Sequence, residues 1–589
     1  MKIKHLFGLA VIAAMTASCS SNEDLGTAGP GTGTNEAGVG YATFTINLPT
    51  TSGSTTSGAR GTRAGEITFE KGDQKEYDVN NATLLIFKKA ETSDSENDCT
   101  FVESVSLGSM TPWKDPSEPG VTTHAKITAK LNKVNTKDKF YALVLLNNGT
   151  ESSKKVDLPS EGQTFSAWNE ATTNVTDKIA KTDDGFYMAN APLYKDSKVT
   201  TLVPIESTKI YPTEAQAASN PSTDIYVERG LAKVTVTSAS KATKTIADGT
   251  YKDDKVTIQN WALDVTNKKS YPVHKTDGTG YDKIWSNTAT LSSTTNNATT
   301  LRFVDNNTTT VAKRVYWGVD PNYSDNKYYA GDATTSPEKT ALDCCKDAFN
   351  MITKDQVDGA AGEANPQYCL ENTFNLDNMM QGQTTRVVFK AKYEPNGFTP
   401  GETFYMVGKN TAIWTEANLK AEIVAAVTKV VSSATTTNTT VELTDATGGK
   451  DITKAGNHLL ALGNIKVTGV TLAQSDIDAI NAKLGLKEGE GISTYQDAEA
   501  YYIARVKHFG VLTPWKAGQN YGTDNLSFLG RYGVLRNNWY VLDVDKVSGP
   551  GYPDVPDVKP NVPDDENSTY ISVSVKILSW AKRTDTVDL

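Results

Sequence analysis

From Tyr41 to Leu48 the residues alternate: Ala42, Phe44, Ile46 and Leu48 fall on one face, and Tyr41, Thr43, Thr45 and Asn47 on the other. A period of two hides its apolar side chains only when the segment pairs into a sheet with one buried face. The pattern recurs along the chain, between turns rich in Gly, Asn, Asp and Ser. Ala82–Lys88 and Phe140–Asn147 are apolar on both faces, as central strands are, and Arg386–Tyr393 alternates Val387, Phe389, Ala391 and Tyr393 with charged residues. The expected fold is all-β dominated, with β-sandwiches. At 589 residues the chain exceeds what one core usually organises, which implies two folded domains plus tails.

In Ile225–Val236 the apolar residues stand at odd positions up to Val227, pass Gly230, and continue at even positions from Ala232. A phase switch at a glycine marks a bulge or a crossing between sheets or domains. The boundary is expected just before it, in the polar stretch Pro212–Asp224, giving domains at 64–224 and 225–549. Between about Trp414 and Gly485 the period turns helical. Leu419, Ile423, Val427 and Val430 share one face; Ser475 and Asp478 suggest a cap, Ile477, Ile480 and Leu484 a face, and Gly485 a stop. This reads as a helical insertion, about 414–485, packed on one sheet.

The chemistry-bearing residues point away from catalysis. Lys plus Arg number 59 against 69 Asp plus Glu, a net charge of −10 with no basic block, so nucleic-acid binding is disfavoured. The five histidines are far apart and carry no metal-ligand spacing, and no phosphate loop, HExxH or GxSxG motif occurs; neither metal nor cofactor is expected. Beyond Cys19, the cysteines Cys99, Cys344, Cys345 and Cys369 read equally as free thiols or as partners in a Cys369 bridge. The tryptophans, from Trp113 to Trp580, are not grouped into a sugar-binding platform and read as core or edge aromatics.

The two ends are more informative. Lys2, Lys4 and His5 precede the short apolar stretch Leu6–Met15, about half a bilayer span, which reads as a signal peptide over residues 1–18. Thr16-Ala17-Ser18-Cys19 is similar to a lipobox, with Cys19 the acylated residue, and Ser20–Val39 behaves as a tether. Residues 19–63 then form a propeptide holding the strand of Ala42, Phe44, Ile46 and Leu48. Arg63-Ala64 lies in a Ser/Thr/Gly-rich stretch open to a trypsin-like protease, and a cut there removes that strand and leaves an unfilled edge. At the other end, residues 550–589 start with Pro550, Pro553, Pro556, Pro560 and Pro563, which read as a stiff arm reaching roughly 50 Å. Behind the arm Ile571, Val573, Val575 and Ile577 alternate with Ser572, Ser574 and Lys576, and a kink is expected near Ile577, where Leu578 takes the opposite phase. Inserted into another molecule's sheet, these four aliphatic side chains contribute roughly 6–12 kcal/mol as an upper bound. A head-to-tail contact of that kind does not close on itself and generates a filament.

Five stretches carry a family resemblance: Val227–Val234, Trp261–Asp264 with Ser270–Val273, Tyr316–Tyr323, Tyr368–Thr373 and Gly530–Tyr540. In this order, with the lipobox, Arg63-Ala64 and the proline-rich arm, the chain resembles the major fimbrillins of the type V pili of Bacteroidales-type bacteria, most closely the Mfa-like branch. The resemblance implies two transthyretin-like β-sandwiches in tandem and export as a lipoprotein, with the precursor held at the outer membrane. It also implies cleavage after Arg63 by a trypsin-like surface protease, and assembly with copies of itself and with accessory pilus subunits by donor-strand exchange. Adhesion, autoaggregation and biofilm formation at a cell-surface fimbrium are the implied roles. The expectation is a structural shaft subunit, not an enzyme; the rivals are an anchor or tip subunit and a surface glycan-binding lipoprotein.

Overall fold

The alternation at Tyr41–Leu48 becomes strand β1 (Gly40–Asn47), whose Ala42, Phe44 and Ile46 are wholly buried. The structure, a computed structural model, describes residues 31–47, 74–76, 78–110, 124–149, 151–171, 178–183, 185–195, 198–220, 223–277, 313–315, 317–323, 325–373, 379–445, 449–508, 530–564 and 571–579. Leu48, Cys19, Arg63 and Ala64 lie outside the described residues.

Six further strands join β1: β2 (Val79–Lys88), β3 (Thr100–Met110), β4 (His124–Leu131), β5 (Phe140–Leu146), β6 (Met188–Asn190) and β7 (Thr223–Arg229). Their order is β3-β2-β5-β6-β7-β1-β4, with Val203–Ile205 added beside β5. Where two facing sheets are expected, the strands follow one continuous path. The reason is β6, whose three residues hydrogen-bond to β5 on one side and β7 on the other and splice the halves together. The ends of this sheet come together, because Glu103 on β3 accepts the backbone N–H groups of Asn132 (3.0 Å) and Lys133 (2.8 Å), just after β4. The sheet therefore curls around a core of Phe44, Leu84, Ile86, Val144, Leu146 and their neighbours.

Strand β7, expected to open the second domain, completes this first sheet. The chain changes sheet at Gly230, where the apolar phase switches, and continues as β8 (Leu231–Val236). The second half contains β9 (Lys255–Asp264), β10 (Gln367–Leu370), β11 (Arg386–Glu394), β12 (Glu499–Arg505), β13 (Asn538–Val547) and β14 (Ile571–Ser579). One sheet runs β10-β8-β13-β14, and the other runs from Lys244–Thr245 through β9 and β11 to β12. Val234, Val236, Tyr540 and Leu542 of the first meet Ile258, Trp261, Phe389 and Tyr502 of the second, so this half is a β-sandwich.

The insertion is larger than its helices. Helix α1 (Glu416–Val430) buries Leu419, Ile423 and Val427, the expected face, and Thr415 caps it by accepting the Asn418 N–H. Helix α2 (Gln474–Lys483) starts one residue before Ser475, so Ser475 does not cap it; the Asp476 carboxylate accepts the Ala473 N–H at 2.8 Å instead. Gly485, at φ +73°, ends the helix as expected. Both helices pack with Tyr405, Val441, Ile465 and Ile492 into a core of their own. The entry and exit of this module are adjacent, since Gly408 N–H donates to Gly491 O at 3.0 Å.

Candidate functional site

Strand β1 is interior, not marginal. It runs antiparallel to β4 over its whole length, Gly40 opposite Leu131 and Asn47 opposite His124, and parallel to β7 from Phe44 to Asn47. Thr43 is buried as well and shares a 2.9 Å hydroxyl contact with Thr128. Burial of Ala42, Phe44 and Ile46 contributes roughly 4–7 kcal/mol. Taking β1 out opens a slot between two strands, where the sequence pattern suggested a bare edge.

The proline-rich segment lies docked on the sandwich. Tyr501 and Tyr552 exchange both backbone hydrogen bonds at 2.8 Å, and the N–H groups of Gln381 and Asp564 donate to Val562 O and Met379 O. Arg386 donates to Pro556 O at 2.7 Å, Tyr495 to Gly551 O at 2.9 Å and Tyr502 to Gly549 O at 2.9 Å. Carbonyl groups of a proline-rich chain accept hydrogen bonds even where the nitrogens donate none, and these side chains use them. Beyond it, β14 pairs antiparallel with β13, Ile571 opposite Val547 and Ile577 opposite Tyr540. Val573 and Val575 pack, half-buried, against the sandwich core. The strand runs without a break through Ile577 to Ser579; the irregularity is on its partner, between Val544 and Lys546.

The five resemblance motifs meet where the two halves join. Lys233 holds Glu76 at 2.8 Å, with both side chains buried, and stacks 3.9 Å from the centre of the Trp539 ring. Tyr368 donates to the same Glu76 oxygen at 2.6 Å, and Arg229 Nε to the Glu76 carbonyl at 2.9 Å. Nearby, His274 Nδ1 lies 2.8 Å from Glu228 Oε1 and its Nε2 3.7 Å from Glu371, and Arg536 Nε lies 3.4 Å from Glu371. Gly318 is required beside this ring, because a Cβ there would stand 1.9 Å from His274 Nε2. Asp320 accepts the backbone N–H groups of Asn322 and Thr373, and burial pushes its carboxyl up to about 7. A strap, Ser270–Asp277, runs between the halves: Tyr187 donates to Pro272 O at 3.0 Å, Asn169 accepts the Val273 N–H at 2.8 Å, and Arg536 donates to Ser270 at 3.2 Å. Sequence reasoning missed Glu76 and His274. The signal that was present is charge inside apolar strands, at Glu228, Arg229 and Lys233.

The described residues hold no group of three ligating side chains able to take a metal. Cys99, Cys344, Cys345 and Cys369 are buried and unbridged, and burial raises the Cys345 and Cys369 thiols to about 12. Trp168, Trp261, Trp317 and Trp539 are core residues, and no exposed row of rings forms among those described.

Residues 493–586 match the family described as major fimbrial subunit protein type IV, fimbrillin, C-terminal; the matched region holds β12, β13 and β14. No curated protein matches the chain. Among solved structures it is similar to a candidate cell adhesion protein of Parabacteroides distasonis ATCC 8503, at 11% identity over 92% of this chain and 97% of that one, with a TM-score of 0.35. A second such protein, from Bacteroides eggerthii DSM 20697, matches at 12% identity over 94% and 98%, with a TM-score of 0.33. The tip fimbrial protein Mfa3 of Porphyromonas gingivalis, with C-terminal truncation, matches at 10% identity over 92% and 100%, with a TM-score of 0.29. TM-scores this low leave the fold to rest on the chain's own strand pairing. What the chain shares with the fimbrillin family is the match over residues 493–586, the region that carries its C-terminal strand.

Proposed function

We propose that the chain is a structural shaft subunit of an adhesive pilus, exported as a lipoprotein through Cys19, cut after Arg63 by a trypsin-like surface protease, and polymerised when residues 571–579 of one copy enter the β1 slot of the next. The observation that carries this reading is that β1, an interior strand with a fully buried apolar face, lies wholly upstream of Arg63. A cut there severs β1 from the rest of its sheet. Energetics favour the exchange: among the described strands of its own molecule β14 has β13 as its one ladder partner, whereas the slot has β4 on one side and β7 on the other. Each added ladder hydrogen bond contributes about 0.5–1.5 kcal/mol. The Mfa-like branch, accessory subunits, adhesion and the transthyretin-like description of both halves belong to the same reading.

The seating of β14 on its own sandwich favours one alternative, a tip or anchor subunit that keeps its C-terminal strand. One experiment separates them: peptide mass spectrometry of the N-terminus of surface-extracted protein, with an unboiled mild-detergent gel. A start at Ala64 and a ladder of multimers is expected for the shaft. A start at acylated Cys19 with a single monomer band overturns it.

A further inference from the structure

We propose that the outer edge of β13 is a second strand acceptor, taking residues 571–579 of a second copy and closing two chains into a reciprocal dimer. This rests on the exchangeable C-terminal strand of the proposed function, but on neither the cut at Arg63 nor the β1 slot. The occupant is defined by the fit already displayed: β14 matches the edge in antiparallel register from Val547 opposite Ile571 to Asn538 opposite Ser579, with Val541 opposite Lys576. It also lies against β12, the edge of the facing sheet, so Val573 and Val575 close one side of the sandwich. A second copy's strand reproduces every one of these contacts, so exchange costs little beyond association entropy.

The geometry of attachment permits the handover. The chain is held up to Asp564, a buried residue whose carboxylate accepts from Thr384 at 3.1 Å and whose N–H donates to Met379 O at 3.2 Å. Six residues, 565–570, separate that anchor from Ile571. A stretch of six residues spans at most about 20 Å. Exchange at β13 is isologous and closes after two chains, whereas exchange at the β1 slot is open-ended. A dimer formed this way occupies both C-terminal strands and withdraws two subunits from growth.

The test uses the uncut precursor, R63A, in which β1 keeps its slot filled. Cysteines placed at the facing pair, V541C with K576C, are oxidised over a range of protein concentrations and run on a denaturing, non-reducing gel. The expected result is a disulfide-linked species of twice the monomer mass whose share rises with concentration. Disulfides confined to the monomer band at every concentration, including after refolding at high concentration, overturn the inference. Should the double variant fail to fold, a chain ending at Tyr570 is mixed with the synthetic peptide 571–579. Saturable binding to the truncated chain and none to the full chain supports the acceptor edge, and equal or absent binding overturns it. Filaments from the cut protein without dimers from R63A remove this inference and leave the shaft reading standing; dimers without filaments do the reverse.

Discussion

The Lys233 ammonium lies 2.8 Å from the Glu76 carboxylate with both side chains almost fully buried, joining the turn before β2 to the first strand of the second half. Removing one partner strands the other charge in a low-dielectric site, so K233M or E76Q should each lower stability by about 3–5 kcal/mol. The pair K233M/E76L should recover most of that loss. Urea unfolding of the three variants checks this; a double variant no better than the singles refutes the pairing argument.

Phe44 points into the core between β4 and β7, and F44A should cost the uncut protein about 3–5 kcal/mol. Protein cut after Arg63 no longer contains residue 44, so material processed from the F44A precursor and from the unsubstituted precursor should melt alike. Paired thermal melts read both halves of the prediction.

Gly318 leaves no room for a Cβ beside His274. G318A should force the ring away from Glu228 and cost about 1–3 kcal/mol or more. Thermal unfolding gives the magnitude, and hydrogen exchange across Ser270–Asp277 should show the strap loosened first.

Two carboxyls, the buried Asp320 and the partly exposed Glu96, set a pH slope. Burial raises both Asp320 and Glu96 to about 7; Glu96 also accepts the Thr201 and Leu202 N–H groups. In the unfolded chain such groups titrate near ~4. Between about pH 4 and pH 7 the folded state therefore holds protons that the unfolded chain has released. Stability from these two groups falls as pH rises through that window and levels off above it. D320N and E96Q should each flatten the slope, measured as unfolding free energy at pH 5 and pH 8; an unchanged slope in both would count against their burial.

The module between Gly408 and Gly491 has its own core and adjacent ends. Replacing residues 409–490 with a two-residue turn should leave the curled sheet and the sandwich folded. Circular dichroism and a cooperative melt check it. If the shaft reading is right, the shortened subunit should still assemble.

Much of this architecture was legible because strand burial imposes a period of two: β1, β2, β5 and β11 fall where Ala42, Ala82, Phe140 and Arg386 lead alternating or doubly apolar runs. The crossing was legible too, as the phase switch at Gly230, but β7 was assigned to the wrong side of it, since polar turns at Pro212–Asp224 look like a linker whatever they connect. The docking of Pro550–Pro563 was invisible: prolines announce the missing donors, not the carbonyl partners that Arg386, Tyr495 and Tyr502 supply from elsewhere. The junction was hidden for a related reason. Glu76, Lys233, His274, Glu371 and Arg536 are scattered over most of the chain, and only the three-dimensional path brings them together.

Strand β1 has one neighbour running with it and one against it. The two ladders are unequal, eight residues against β4 and four beside β7, so a reversed strand would exchange the full-length antiparallel ladder for a parallel one, which pairs slightly less stably. An occupant's sense of travel, and the directionality of whatever is built from it, follows from the longer of the two ladders.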